Sequence, residues 1–275
     1  MHHANHFYGH AAIMARYAGL DETPPILGYL QHGWNLHDGF AVGTAFAPVY
    51  PRLVWSEVVA RRAWATGLRH LKVVSAPWHY LVLLEPETEN AGHEREGTIV
   101  YPFHGWEGQQ IVGSHDEYAR VLRDTEGDVP ITMCLYFNDF EDAGIRRTYE
   151  RHGFRVITHG RRGYMGVGHD PEFLRRQLVE LRRHRRVVSN RLGSALLYGA
   201  SVGAEIGVYG DPMVIGNDHA VLGGMAKQQR LFPELHQAAV PAAVARQAVV
   251  TELGWDVVLS PAEVRRTFGW EDAAG

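Results

Sequence analysis

Between residues 98 and 211 short apolar runs alternate with amphipathic stretches of helical period, and that alternation predicts the fold. Residues 98–103, 131–137, 154–158, 186–189 and 205–209 read as strands. Between them lie helices. The first opens at Ser114, with Glu117 three positions on, the spacing of a capping box. Residues 139–152 read as a second helix closed by Gly153, residues 171–183 as a third with a proline in its first turn, and residues 192–202 as a fourth ended by Gly203. Strands this short and apolar, separated by helices, predict an α/β fold with a parallel sheet covered on both faces. In such sheets ligands bind beyond the carboxyl ends of the strands, which points to the loops after Phe103, Phe137, Thr158, Ser189 and Tyr209.

The first part follows the same logic on a smaller scale. Residues 7–20 read as a helix, 25–30, 52–55 and 71–74 as strands, and 57–66 as a helix stopped by Gly67. The polar stretch 85–97 reads as a linker. Three segments follow: a short Rossmann-like domain over 1–90, a second over 97–215, and a helical extension over 216–275 whose last helix has Ser260 as cap and Pro261 at its first position. No period of repeats is present, which excludes a solenoid.

Composition narrows the function classes. Of 275 residues, 45% are hydrophobic and 21% charged, and the formal net charge of -4 argues against a nucleic-acid binder. Cys134 is the single cysteine and lies in an apolar run, which predicts an inert buried thiol and no internal disulfide. The N-terminus lacks a secretory layout, and no apolar run approaches the ~20 residues of a membrane span. A cytoplasmic protein is expected, with any membrane contact peripheral. The arginines at 175, 176, 182, 183, 185 and 186 could meet anionic lipid, although a solvated helix face is the simpler reading.

Two predicted strands end alike, in Gln31-His32-Gly33 and Phe103-His104-Gly105. A histidine there can face a ligand and take a hydroxyl proton near neutral pH, or serve only to brace its loop. The segment Ser189-Asn190-Arg191-Leu192-Gly193-Ser194 passes from strand to helix through small polar residues. Helix-start N–H groups there attract phosphate, and plain capping by Ser189 or Asn190 is the alternative. Thr158-His159-Gly160-Arg161-Arg162-Gly163 could clamp a diphosphate or be a solvated basic loop. No Walker loop, dinucleotide fingerprint or serine-hydrolase elbow is present. His2, His3, His6 and His10 cluster at the start without a metal-binding spacing, so no metal is expected.

Taken in order, Gln31-His32-Gly33, Val54-Trp55-Ser56-Glu57, Ser75-Ala76-Pro77, Pro102-Phe103-His104, Cys134-Leu135-Tyr136, Thr158-His159-Gly160-Arg161 and Ser189 to Ser194 with Tyr198 resemble bacterial surface-polysaccharide biosynthesis proteins of GT-B glycosyltransferase type. The resemblance implies two Rossmann-like domains facing a cleft, a nucleotide-sugar donor as substrate, a hydroxyl acceptor that could be lipid-linked, and no bound metal or other cofactor. It also leaves room for a homodimer and for contact with the inner membrane face. His32 would be the general base. His104, Gly160, Arg161, Ser189, Asn190, Gly193 and Ser194 would line the donor side. Phospho-alditol transfer of teichoic-acid type, and a non-catalytic nucleotide-sugar-binding partner, are the competing implications. The first domain is short for the family.

Overall fold

A computed structural model describes residues 2–41, 44–87, 94–105, 109, 111–163, 168–215 and 224–273. The middle of the expected linker, and the Asp218-His219 pair at the start of the expected tail, lie outside them. The chain forms two compact units, each an α/β assembly around a parallel sheet. Met1–Ala91, Arg161–Arg176 and Gln247–Gly275 make the first; Gly92–Gly160 and Gln177–Arg246 make the second.

In the first unit β1 (Tyr29–Leu30), β2 (Arg52–Val54) and β3 (Leu71–Val73) pair in parallel in that order. Helices α1 (His10–Tyr17), α2 (Glu57–Ala65) and α3 (Pro77–Leu84) accompany them. Ser56 caps α2, its side chain accepting the Val59 N–H, and Pro77 sits where a helix needs no N–H donor. The single helix expected over 7–20 is divided. A 3-10 segment, His3–Gly9, precedes α1, and the break falls at Phe7 and Tyr8, where Tyr8 has φ +59. Gly9 follows at φ +83, and a Cβ there would lie 2.6 Å from the Pro171 carbonyl oxygen, so the close passage of 161–176 needs glycine.

In the second unit β4 (Thr98–Val100), β6 (Ile131–Cys134), β7 (Arg155–Ile157), β8 (Arg186–Ser189) and β9 (Glu205–Val208) form a fully parallel sheet, ordered β7-β6-β4-β8-β9. Numbered within the sheet alone, that is the doubly wound order 3-2-1-4-5, and the chain reverses direction between β4 and β8. A small antiparallel pair, β5 (Ile111–Val112) with β10 (Val214–Ile215), was not anticipated. Helices α4 (His115–Glu126), α5 (Phe137–Glu141), α6 (Ala143–Arg151), α7 (Phe173–Arg183), α8 (Ser194–Ser201), α9 (Gly224–Leu231) and α10 (Ala242–Leu253) follow along the chain, then α11 (Pro261–Phe268). Val100, Tyr118, Leu122, Met133, Leu135, Tyr149 and Val188 form this unit's core. The helix expected over 139–152 is split at Asp142, whose carboxylate accepts the Gly144 and Ile145 N–H groups and so starts α6 afresh. Ser114 caps α4 as expected, and Ser260 with Glu263 forms both halves of a capping box.

The contiguous division at 1–90, 97–215 and 216–275 needs correction. Residues 247–275 belong to the first unit because its core contacts are there. The Ala76 N–H donates to Leu253 O, Arg265 donates to Ala18 O, and the Trp270 indole donates to Pro25 O. Among the described residues no helix is long and apolar enough to cross a membrane.

Candidate functional site

The second unit gathers most of the expected residues at the carboxyl edge of its sheet, around the point where strand order reverses. Asn190, after β8, reaches across to β4. Its Oδ1 accepts the Phe103 N–H at 2.6 Å, and its Nδ2 donates to Asp211 O at 2.7 Å. Ser189 Oγ accepts the Arg191 N–H at 3.2 Å. Arg191 lays its guanidinium 3.8 Å from the Phe103 ring centroid and donates to Pro212 O at 2.6 Å and to Met213 O. Gln228 closes the loop from outside, accepting from the Leu192 N–H and donating to Leu192 O. Ser189, Asn190 and Arg191 are buried, and these bonds make them braces of the loop.

The chain then reaches Gly193, the N-cap of α8. Glycine has no side chain to cap the helix start. A Cβ built on Gly193 would meet nothing within 4 Å among the described residues. Gly193 and Ser194 are partly exposed, and the helix dipole and first-turn N–H groups favour an anion there.

His104 follows β4. Its Nδ1 lies 2.7 Å from Gly105 O, and a carbonyl only accepts, so Nδ1 carries the proton and Nε2 is the basic nitrogen. The ring stacks on Tyr136 at 4.2 Å with 10° between planes. Farther along the edge the Tyr101 hydroxyl meets His159 Nε2 at 2.9 Å, and burial pushes that phenol well above its ordinary range. Cys134 is buried, and burial raises its thiol too, as its apolar run implied. Gly160 ends β7's loop at φ +96.

One carboxyl escaped the sequence reading. Asp139, on α5 beyond β6, is pushed up to about 6 by burial and then by the nearby Asp142, and its buried Oδ2 has no hydrogen-bond partner. The signal available was its place after an apolar strand. The sequence reading placed it only at the start of the helix over 139–152.

His32 and Arg161 belong to the first unit. His32 follows β1, where Gln31 ties the strand ends together: its side chain accepts the Trp55 N–H at 2.8 Å and its carbonyl accepts the Trp55 indole at 3.1 Å. The half-buried His32 ring meets Phe7 edge-on at 5.7 Å. Burial first, then Arg162, His2 and His3, lowers it to about 4. Past it, Trp34 donates to Glu252 at 2.6 Å, and Arg62 holds both oxygens of that carboxylate at 2.8 and 2.6 Å. Arg161 is exposed.

The arginine run on α7 and its exit is paired. Arg175 binds Glu172, Arg176 binds Asp170, Arg183 binds Glu180, Arg185 binds Glu205 and Arg186 binds Glu126. Among the described residues no group of three or more His, Cys, Asp or Glu is arranged to hold a metal ion.

No protein-family model matches the chain, and no curated protein matches it. Similar solved structures include a protein described as a UDP-N-acetylglucosamine 2-epimerase from Listeria monocytogenes, at 11% identity and TM-score 0.40, covering 73% of this chain and 49% of that one. Staphylococcus aureus MnaA with UDP aligns at 9% identity and TM-score 0.37, covering 76% and 61%. An S. aureus TarM variant with fondaparinux, alpha-GlcNAc-glycerol and UDP aligns at 11% identity and TM-score 0.36, covering 87% and 48%. The chain thus spans between half and three-fifths of the length of these structures.

Proposed function

We propose that this chain binds a nucleotide-activated sugar and transfers the sugar to a hydroxyl acceptor. The observation that carries the reading is the partly exposed helix start at Gly193, which has no side-chain cap and lies where the strand order of a doubly wound sheet reverses. There the backbone N–H groups and helix dipole would take the donor's diphosphate. Ser189 and Asn190 shape the loop, and His104 and Gly160 complete the proposed donor side. In the reaction the acceptor oxygen bonds to the anomeric carbon, the bond from that carbon to the diphosphate breaks, and the nucleoside diphosphate leaves. His32 accepts the hydroxyl proton. At neutral pH it is unprotonated and able to do so.

A panel of nucleotides and nucleotide sugars, read by thermal shift, tests this. A donor should raise the melting temperature of the wild type, and Gly193→Asp, which sets a carboxylate at the helix start, should abolish the rise. His32→Ala should keep the donor-induced shift and lose turnover. A wild type indifferent to the whole panel, or a shift unchanged in Gly193→Asp, overturns the reading.

One observation favours a second reading, a partner protein that binds the donor without consuming it: a histidine held near 4 is a weak base. Donor-stabilised protein with no turnover in acceptor-rich extract would favour it.

A further inference from the structure

The histidines at the start of the chain have no part in the donor reading, yet the fold gathers them. The Phe7 ring, almost wholly buried, is the hub. The His3 ring lies 5.5 Å from it and the His32 ring 5.7 Å, and the Arg162 guanidinium carbon sits 4.6 Å from the ring centroid. His2 extends the group at 4.9 Å from His3, and also meets Tyr29. On the far side His6 and His169 approach to 5.2 Å. Three separate segments, 2–10, the loop after β1 and 161–176, thus converge on one aromatic ring, and each brings a base.

We infer that this cluster, with Arg162, His32, His3 and His2 as its donors, is a binding site for a phosphoryl-group anion. Like-charged groups repel when crowded, and the groups that act electrostatically on His2, His10, His32 and His169 are other histidines, Arg162 and the terminal amine. A dianion reverses that penalty, letting imidazoles take up protons and donate alongside the guanidinium. A metal ion is opposed by Arg162. His10 adds to the case from beneath. It is fully buried, both its ring nitrogens are without hydrogen-bond partners, and it is coupled to His32. The site stands apart from the transferase reading: an anion that protonated His32 would block it as a base, so anion binding by the first unit does not rest on that reading.

Histidine side-chain NMR of the whole chain, titrated with inorganic phosphate, tests the inference. Ring resonances of His32 and His2 should move toward the imidazolium form as phosphate is added. Arg162→Gln should weaken the apparent affinity roughly tenfold or more, and Arg162→Lys should recover part of it. The Gly193→Asp variant should titrate like the wild type, so failure of donor binding and failure of this site are told apart. If Arg162→Gln loses its folded spectrum, His3→Gln and Arg162→Lys supply the comparison. Resonances that stay still, or that move equally in wild type and these variants, overturn it.

Discussion

Two parallel strands, one in each unit, end in the same His-Gly step, and their surroundings are opposite. His32 lies among other bases beside the Phe7 ring, and burial with that company strips it of proton affinity. His104 has its tautomer set by its own loop carbonyl and its ring braced on Tyr136. The fastenings differ as well. The loop after β1 is held by an ion pair, through Trp34, Glu252 and Arg62; the loops after β4 and β8 are held without one, by the amide of Asn190 and by Arg191 donating to backbone carbonyls. A shared tripeptide at a strand end thus says where a histidine stands. What it can do is decided by whatever packs on it.

The contrast in fastening gives the largest expected effect. Glu252→Ala leaves a part-buried guanidinium and a buried indole N–H without their acceptor and should cost about 3 kcal/mol in equilibrium urea unfolding. Asn190→Ala removes two buried hydrogen bonds and should cost about 1–3 kcal/mol. Equal costs would erase the distinction.

Acid should also separate the units. His10 and His79, both buried in the first unit, are lowered by burial to about 3. Their folded affinities lie below the unfolded value near 6.5, so the unfolded chain binds more protons. Their stabilisation is complete above that value and is lost as pH falls from it toward 3, at up to ~1.4 kcal/mol per pH unit for each. Hydrogen exchange at pH 5 should therefore quicken in residues 10–84 before residues 186–208. His10→Phe should flatten the slope, and uniform quickening across both units would contradict the picture.

The smallest effect lies in the pH profile of turnover. With His32 as base, the rate should hold nearly level from neutrality to about pH 5 and fall only near pH 4, where the imidazole protonates. A limb near 6.5 would take the role from His32.

The alternation of apolar runs made the second unit's five parallel strands legible: β4, β6 and β8 are buried on both faces, β9 is buried beyond Glu205, and edge strand β7 is partly exposed but was bounded by Gly153. The helix start at Gly193 was legible for the same local reason. Asn190 shows the limit. Its type and place suggested a ligand contact, but an amide equally suits bridging two loops, and only tertiary structure shows that it does so. The membership of 247–275 in the first unit was hidden because Glu252 and its partner Arg62 lie 190 positions apart. Asp139 was hidden because a carboxyl's burial depends on neighbours brought in from elsewhere.

The interleaving of the two units has a consequence for biosynthesis. Glu252, Leu253 and Trp270 are made after the second unit, yet they complete the unit begun before it. The earlier segments of the first unit must wait, incomplete, while the intervening unit is made. A nascent chain stalled near position 246 should hold the later-made sheet folded and the earlier-made one open to protease.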